Sequence, residues 1–143
     1  FLDRLPHRLE LFDDVIPVLN KLKSSMGITI GLISNLPNDS QFLSNLGLDP
    51  YLDILVTSDK SKSMKPHREI FDLAIKKSMV PASECIHVGD QYHSDILGAR
   101  AARINPILID RYGNFDKKLD CPKIKNLAEL VTLLEAGGVR QDS

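Results

Sequence analysis

Short apolar runs alternate with longer amphipathic stretches along this chain. In LELFDDVIPVLNKLKSSMG, apolar residues recur at Leu11, Val15, Val18, Leu19 and Leu22, and Gly27 stands where such a helix ends. ITIGLIS follows, short, β-branched and almost wholly apolar, which predicts a strand covered on both faces. NDSQFLSNLGLDP predicts a second helix that stops near Gly47, with Pro50 just beyond. YLDILVTSD holds a strand over Ile54–Thr57. KPHREIFDLAIKKSMV predicts a helix opened by Pro66, with Ile70, Phe71, Leu73, Ala74 and Ile75 on one face. SECIHVGD predicts a strand, and HSDILGARAARI a helix capped by Ser94 or Asp95. NPILIDR is a further strand, RYGNFDKKLDCPKIK a loop without period, and NLAELVTLLEAGG a last helix capped by Asn126.

Helix and apolar strand in alternation predict an α/β fold with a mostly parallel sheet. In such sheets ligands bind beyond the carboxyl ends of the strands. Three predicted strand ends carry polar groups: Ser34 and Asn35; Thr57, Ser58 and Asp59; Gly89 and Asp90. Parallel strands place all three on one rim.

Composition narrows the function classes. The chain has 143 residues, enough for one domain with a real core. Its 18 basic and 19 acidic residues nearly balance. That leaves no basic footprint for nucleic acid and no polybasic patch for a membrane. No stretch approaches a membrane span. Cys85 and Cys121 share no metal-type spacing, which fits a reducing, cytoplasmic setting.

Taken singly, the rim residues have ordinary explanations beside chemical ones. Asp90 and Asp95 supply hard oxygen donors suited to Mg²⁺, or a solvated turn and a helix cap. Ser34 and Asn35 can hydrogen-bond a phosphoryl oxygen, or simply serve a turn. Lys65, before Pro66, is a compact positive charge for an anion, or one more surface lysine. His67, His87 and His93 show no zinc-type spacing. There is no phosphate-binding glycine loop.

Their order is more informative. A strand ends in ISN, KP opens a helix, and a second strand ends in GD, with Asp95 five residues on and GARAA after it. This arrangement resembles the haloacid dehalogenase-like (HAD) hydrolases, most of all the phosphatase-like members with a helical cap. Ser34 matches the family's second motif, Lys65 its third, and Asp90 and Asp95 its fourth, over a stretch from about Leu11 to Asp110. The resemblance implies a Rossmann-like three-layer core. It also implies a Mg²⁺-dependent phosphatase that works through an aspartyl-phosphate. Ser34 and Asn35 would bind the phosphoryl group, Lys65 would neutralise it, Asp90 would hold the metal, and Asp95 would be a second ligand or support the site. The implied partner is a small phosphorylated metabolite.

Three departures from the family pattern stand out. His67 replaces the common Asp after KP. Arg103 stands where a glycine commonly follows GARAA. No two aspartates are two residues apart, so the family's Asp-x-Asp motif, which carries nucleophile and general acid, is missing. The expectation is a core lacking its central first strand and cap. Residues 1–10 would be a remnant of cap or linker, 11–136 the C-terminal portion of the core, and 137–143 a frayed tail. Such a chain is expected to be inactive alone and prone to associate through its opened core. The alternatives are a non-catalytic module that keeps the scaffold and, ranked low, a 2-haloacid dehalogenase, whose Ser-x-Asn-x-x-Asp pattern is not found in VGDQYHSD.

Overall fold

Alternation of side chains along short strands decides which helices cover which face. The computed structural model describes residues 2–5, 8–35, 45–58, 62–115 and 119–137. Strands β3 (Gly31–Ser34) and β4 (Ile54–Thr57) pair in parallel, with Ser34 opposite Thr57. Strands β5 (Ile86–Gly89), β6 (Asn105–Ile109) and β7 (Lys123–Ile124) form a second parallel set in that order. Leu32, Leu55, Ile86, Val88, Ile107 and Ile109 turn to one side, against α1 (Val15–Asn20) and α4 (Leu127–Glu135). Ile33, Val56 and Ile104 turn to the other, against α2 (Arg68–Ser78) and α3 (Gly98–Ala101). The result is the α/β arrangement of parallel strands that the pattern predicts, in the three-layer, Rossmann-like form that the resemblance implies. Among the described residues, β3 pairs only with β4, and β5 only with β6. Among the described residues, the two sets are not hydrogen-bonded to each other.

Several boundaries differ from the sequence reading. Leu11 does not begin the first helix. It ends β2 (Arg8–Leu11), which pairs antiparallel with β1 (Leu2–Leu5), and Leu2 lies opposite Leu11. The helix starts at Val15 and widens over Lys21–Ser25. Its spacing of apolar residues simply runs on from the strand. Pro66 does not open α2 either. It follows a cis peptide bond, and His67 is the residue before the first helical turn. Neither Ser94 nor Asp95 caps the next helix, which begins as a wide turn over Tyr92–Leu97. The predicted second helix lies largely outside the described residues. The predicted loop after β6 contains β7, two residues long and too short to show a period. Asn126 does cap α4: its side chain accepts the Glu129 N–H at 3.0 Å, while the Glu129 carboxylate accepts the Lys125 N–H at 2.6 Å.

Asp14 ties the start of α1 to Arg111, beyond β6, and to the start of α4. Its carboxylate takes two hydrogen bonds from the Arg111 guanidinium, at 2.9 and 3.1 Å, and one from the Leu127 N–H at 2.8 Å. Arg111 also lies over the Phe12 ring, 3.9 Å from its centre. Burial raises the Asp14 pKa, but Arg111 and the Leu127 N–H outweigh it and hold the carboxyl below its ordinary value. A depressed folded pKa gives stability that is present above the unfolded value of about 3.9 and lost as pH falls. Asp14→Asn should therefore cost about 1–2 kcal/mol at pH 7. The gap between variant and wild type should narrow below about pH 4, as read by urea denaturation across that range.

Arg103 explains one departure from the family pattern. It takes φ 63°, the left-handed conformation that suits glycine at a helix end. Its backbone N–H closes the turn on Arg100, and the next residue returns to Ala99. Arg103→Gly should raise stability by up to about 1 kcal/mol, seen as a higher urea midpoint at unchanged slope.

Candidate active site

The site sits where β3 and β5 end. Ser34 is the last residue of β3 and is half-buried. Asn35 follows, and its side-chain amide faces the backbone of Lys65. Asn35 Oδ1 accepts the Lys65 N–H at 2.8 Å, and Nδ2 donates to the Lys65 carbonyl at 3.4 Å. The Asn35 carbonyl in turn accepts the Ser58 hydroxyl at 3.0 Å. The end of β3 thus clasps the segment that leads into α2. Sequence reading expects Asn35 to bind a phosphoryl group; in the structure both ends of its amide meet the Lys65 backbone.

Asp95 lies beneath the end of β5. Its Oδ1 accepts from Lys65 Nζ at 2.6 Å and from His87 Nε2 at 3.0 Å. Its Oδ2 accepts the Gln91 N–H at 3.1 Å. The carboxyl side chain is 3 % exposed, so these contacts act in a weakly polar setting. Burial pushes its pKa up. His87 and Lys65 outweigh that and hold the carboxyl well below the usual carboxylate range. Asp95 is therefore an anion with three donors around it.

His87 reaches Asp95 because β5 alternates. Ile86 and Val88 face α1 and α4, so His87 faces α2, where its ring stands edge-on to Phe71 at 5.1 Å. Sequence reading finds no zinc-type spacing at His87 and gives it no part in the site. The available signal was its place two residues before Gly89, and so on the same face of a period-two strand.

Gly89 leaves room for the carboxyl. A Cβ there would overlap Asp95, so only glycine allows the strand end to close over it. Gly98 does the same against Phe71 and Pro66. Asp90, next along, is exposed, and among the described residues it makes no hydrogen bond or ion pair. His93 is exposed as well.

The arrangement joins Asn35, Lys65, His87 and Asp95 into one network and leaves Asp90 open at the rim. Its donor chemistry suits a hard cation in part. Asp90 offers one unengaged carboxylate, and Mg²⁺ keeps several waters and needs few protein ligands. The Asp95 carboxylate already accepts three hydrogen bonds, two on Oδ1 and one on Oδ2. No group of three or more His, Cys, Asp or Glu among the described residues is placed to hold a metal. Asp110, at the end of β6, is also committed: it accepts the N–H groups of Asn114 and Phe115 at 2.8 and 3.1 Å. No described helix is long and apolar enough to cross a membrane.

Fold and site together define a Rossmann-like hydrolase core with a lysine and acidic residues at the strand ends. Residues 2–103 match the haloacid dehalogenase-like hydrolase family, and the chain belongs to it. It is 32% identical over 134 residues to haloacid dehalogenase-like hydrolase domain-containing protein 3 of Danio rerio, covering 91% of this chain and 55% of that protein. It is 33% identical over 104 residues to the ribulose-1,5-bisphosphate 5-phosphatase of Halopiger xanaduensis, covering 71% and 43% respectively. Among solved structures, the HAD phosphatase from Thermococcus onnurineus superposes with a TM-score of 0.84 at 31% identity, over 95% of this chain and 62% of that one. The chain spans about half the length of the curated relatives it matches.

The fit at Gly89 gives a direct test. Gly89→Ala should lose about 2–3 kcal/mol by forcing the Asp95 carboxyl away. Gly31→Ala, whose added Cβ would meet Ile54 at an ordinary 3.4 Å, should change stability by less than about 1 kcal/mol. Urea denaturation of both variants separates the two cases.

Proposed function

We propose that this chain is the C-terminal core portion of a Mg²⁺-dependent phosphatase of a small phosphorylated metabolite. Its nucleophilic aspartate and general acid would come from sequence preceding Phe1. One observation carries the reading. Lys65, Asp95 and the open Asp90 gather at the carboxyl ends of β3 and β5, which among the described residues are not paired with each other. A parallel strand added between β3 and β5 would end beside all three. If it ended in Asp-x-Asp, as the resemblance implies, its first carboxylate would stand next to the Lys65 ammonium. The β1–β2 hairpin at residues 2–11 would then be what remains of the cap or its linker.

In this reading the chain's own residues hold charge and position. Asn35 fixes the Lys65 backbone, and Asp95 fixes its ammonium near the rim. Lys65 lowers the energy of the anion that transfers there. Ser34, at the end of β3, binds a phosphoryl oxygen. Asp90 would hold Mg²⁺, and the ion when bound would supply further neutralisation of the phosphoryl charge. The added aspartate attacks phosphorus while the bond to the alcohol oxygen breaks, and the second aspartate protonates that oxygen. Water, deprotonated by the same aspartate, then displaces the enzyme carboxylate and releases phosphate. Relatives named as phosphatases of sugar phosphates support the substrate class. The two free thiols fit a reducing, cytoplasmic compartment.

Residues 1–143 alone should show no Mg²⁺-dependent hydrolysis of p-nitrophenyl phosphate. The protein extended through the upstream reading frame should show it, and Asp90→Asn should lower its kcat by about 10²–10³-fold. Hydrolysis by residues 1–143 that disappears in Asp90→Asn would overturn this reading. An upstream frame without Asp-x-Asp would leave a non-catalytic scaffold instead.

A further inference from the structure

Asp95 is held by more donors than one lysine requires. Lys65 Nζ and His87 Nε2 share Oδ1, at 2.6 and 3.0 Å, and the Gln91 N–H occupies Oδ2. A carboxylate is an acceptor only, so the His87 nitrogen facing it carries a hydrogen. The two donors on Oδ1 differ in freedom. Lys65 carries its charge on a flexible four-carbon stem and can turn to another anion while Asn35 holds its backbone. His87 cannot leave, because its strand is paired with β6 and its ring stands against Phe71 at 88°.

We propose that His87 is a positioning residue that keeps Asp95 satisfied when Lys65 turns toward a phosphoryl group. Without it, the departing ammonium would leave a buried carboxylate with one backbone donor, and Lys65 would be locked to it. With it, Oδ1 retains a hydrogen bond throughout, and the lysine is exchangeable between Asp95 and the transferring anion. This role rests on the reading of Lys65 as the phosphoryl-binding lysine.

Lys65→Met in the full chain imitates the departed ammonium. With His87 in place, the unfolding equilibrium constant in urea should rise about tenfold. In Lys65→Met with His87→Phe, the rise should exceed the product of the two single effects by about tenfold or more. In Lys65→Met with His87→Gln, which retains an N–H donor, most of that excess should vanish. A folded Gln pair beside an unfolded Phe pair is the same result. Additive effects, or equal loss in both pairs, would overturn the proposal. Inorganic phosphate, followed through the Lys65 side-chain ammonium resonance, should bind about tenfold more weakly in His87→Phe and recover in His87→Gln. A Lys65 resonance that ignores phosphate in the wild type would overturn the phosphoryl-binding reading of Lys65. It would not touch the sharing of Asp95, which the urea cycle measures by itself.

Discussion

One buried carboxylate organises the rim. Asp95 is an anion in a place where an anion is unfavourable unless surrounded by donors. Meeting that requirement recruits a strand (His87 on β5), the loop before α2 (Lys65) and the turn after β5 (Gln91). Each neighbour is then fixed in turn: Gly89 must stay without a side chain, His87 must face α2, and Lys65 must approach from across the rim. The site's geometry thus follows from satisfying a single charge.

The three-layer packing makes this possible. Two-residue alternation sends the aliphatic side chains of β5 to one face and its histidine to the other, where the Phe71 ring stands edge-on to it. A one-residue slip of β5 against β6 would carry His87 into the aliphatic layer and empty the donor set. Asn35 performs the equivalent task on the other side of the rim, holding the Lys65 backbone by both ends of its amide.

Much of this was legible in the chain. Strand β4 has the predicted limits, Asn126 caps α4 as its position suggests, and the order of Ser34, Lys65, Asp90 and Asp95 pointed to the family that residues 2–103 match. What local pattern missed has physical causes. Leu11 continues the helical spacing of the next segment while belonging to a hairpin strand. Two residues of β7 cannot display a period. The partners of Asn35 and His87 are tertiary: 30 residues separate Asn35 from Lys65, and 8 separate His87 from Asp95 across a turn. Arg103 occupies a glycine conformation that a residue type alone does not reveal.

The Asp14 clasp bears on how such a chain is made. Asp14 bonds to groups 97 and 113 residues further along, Arg111 and the Leu127 N–H. During synthesis the first helix therefore leaves the ribosome long before its anchor exists. Contacts of such long sequence separation form late and slowly. The apolar stripe of α1 can pack on Leu32 and Leu55 as those strands emerge, but the α4 side of this layer, and the Asp14 clasp with it, must wait for the distant segment to be made.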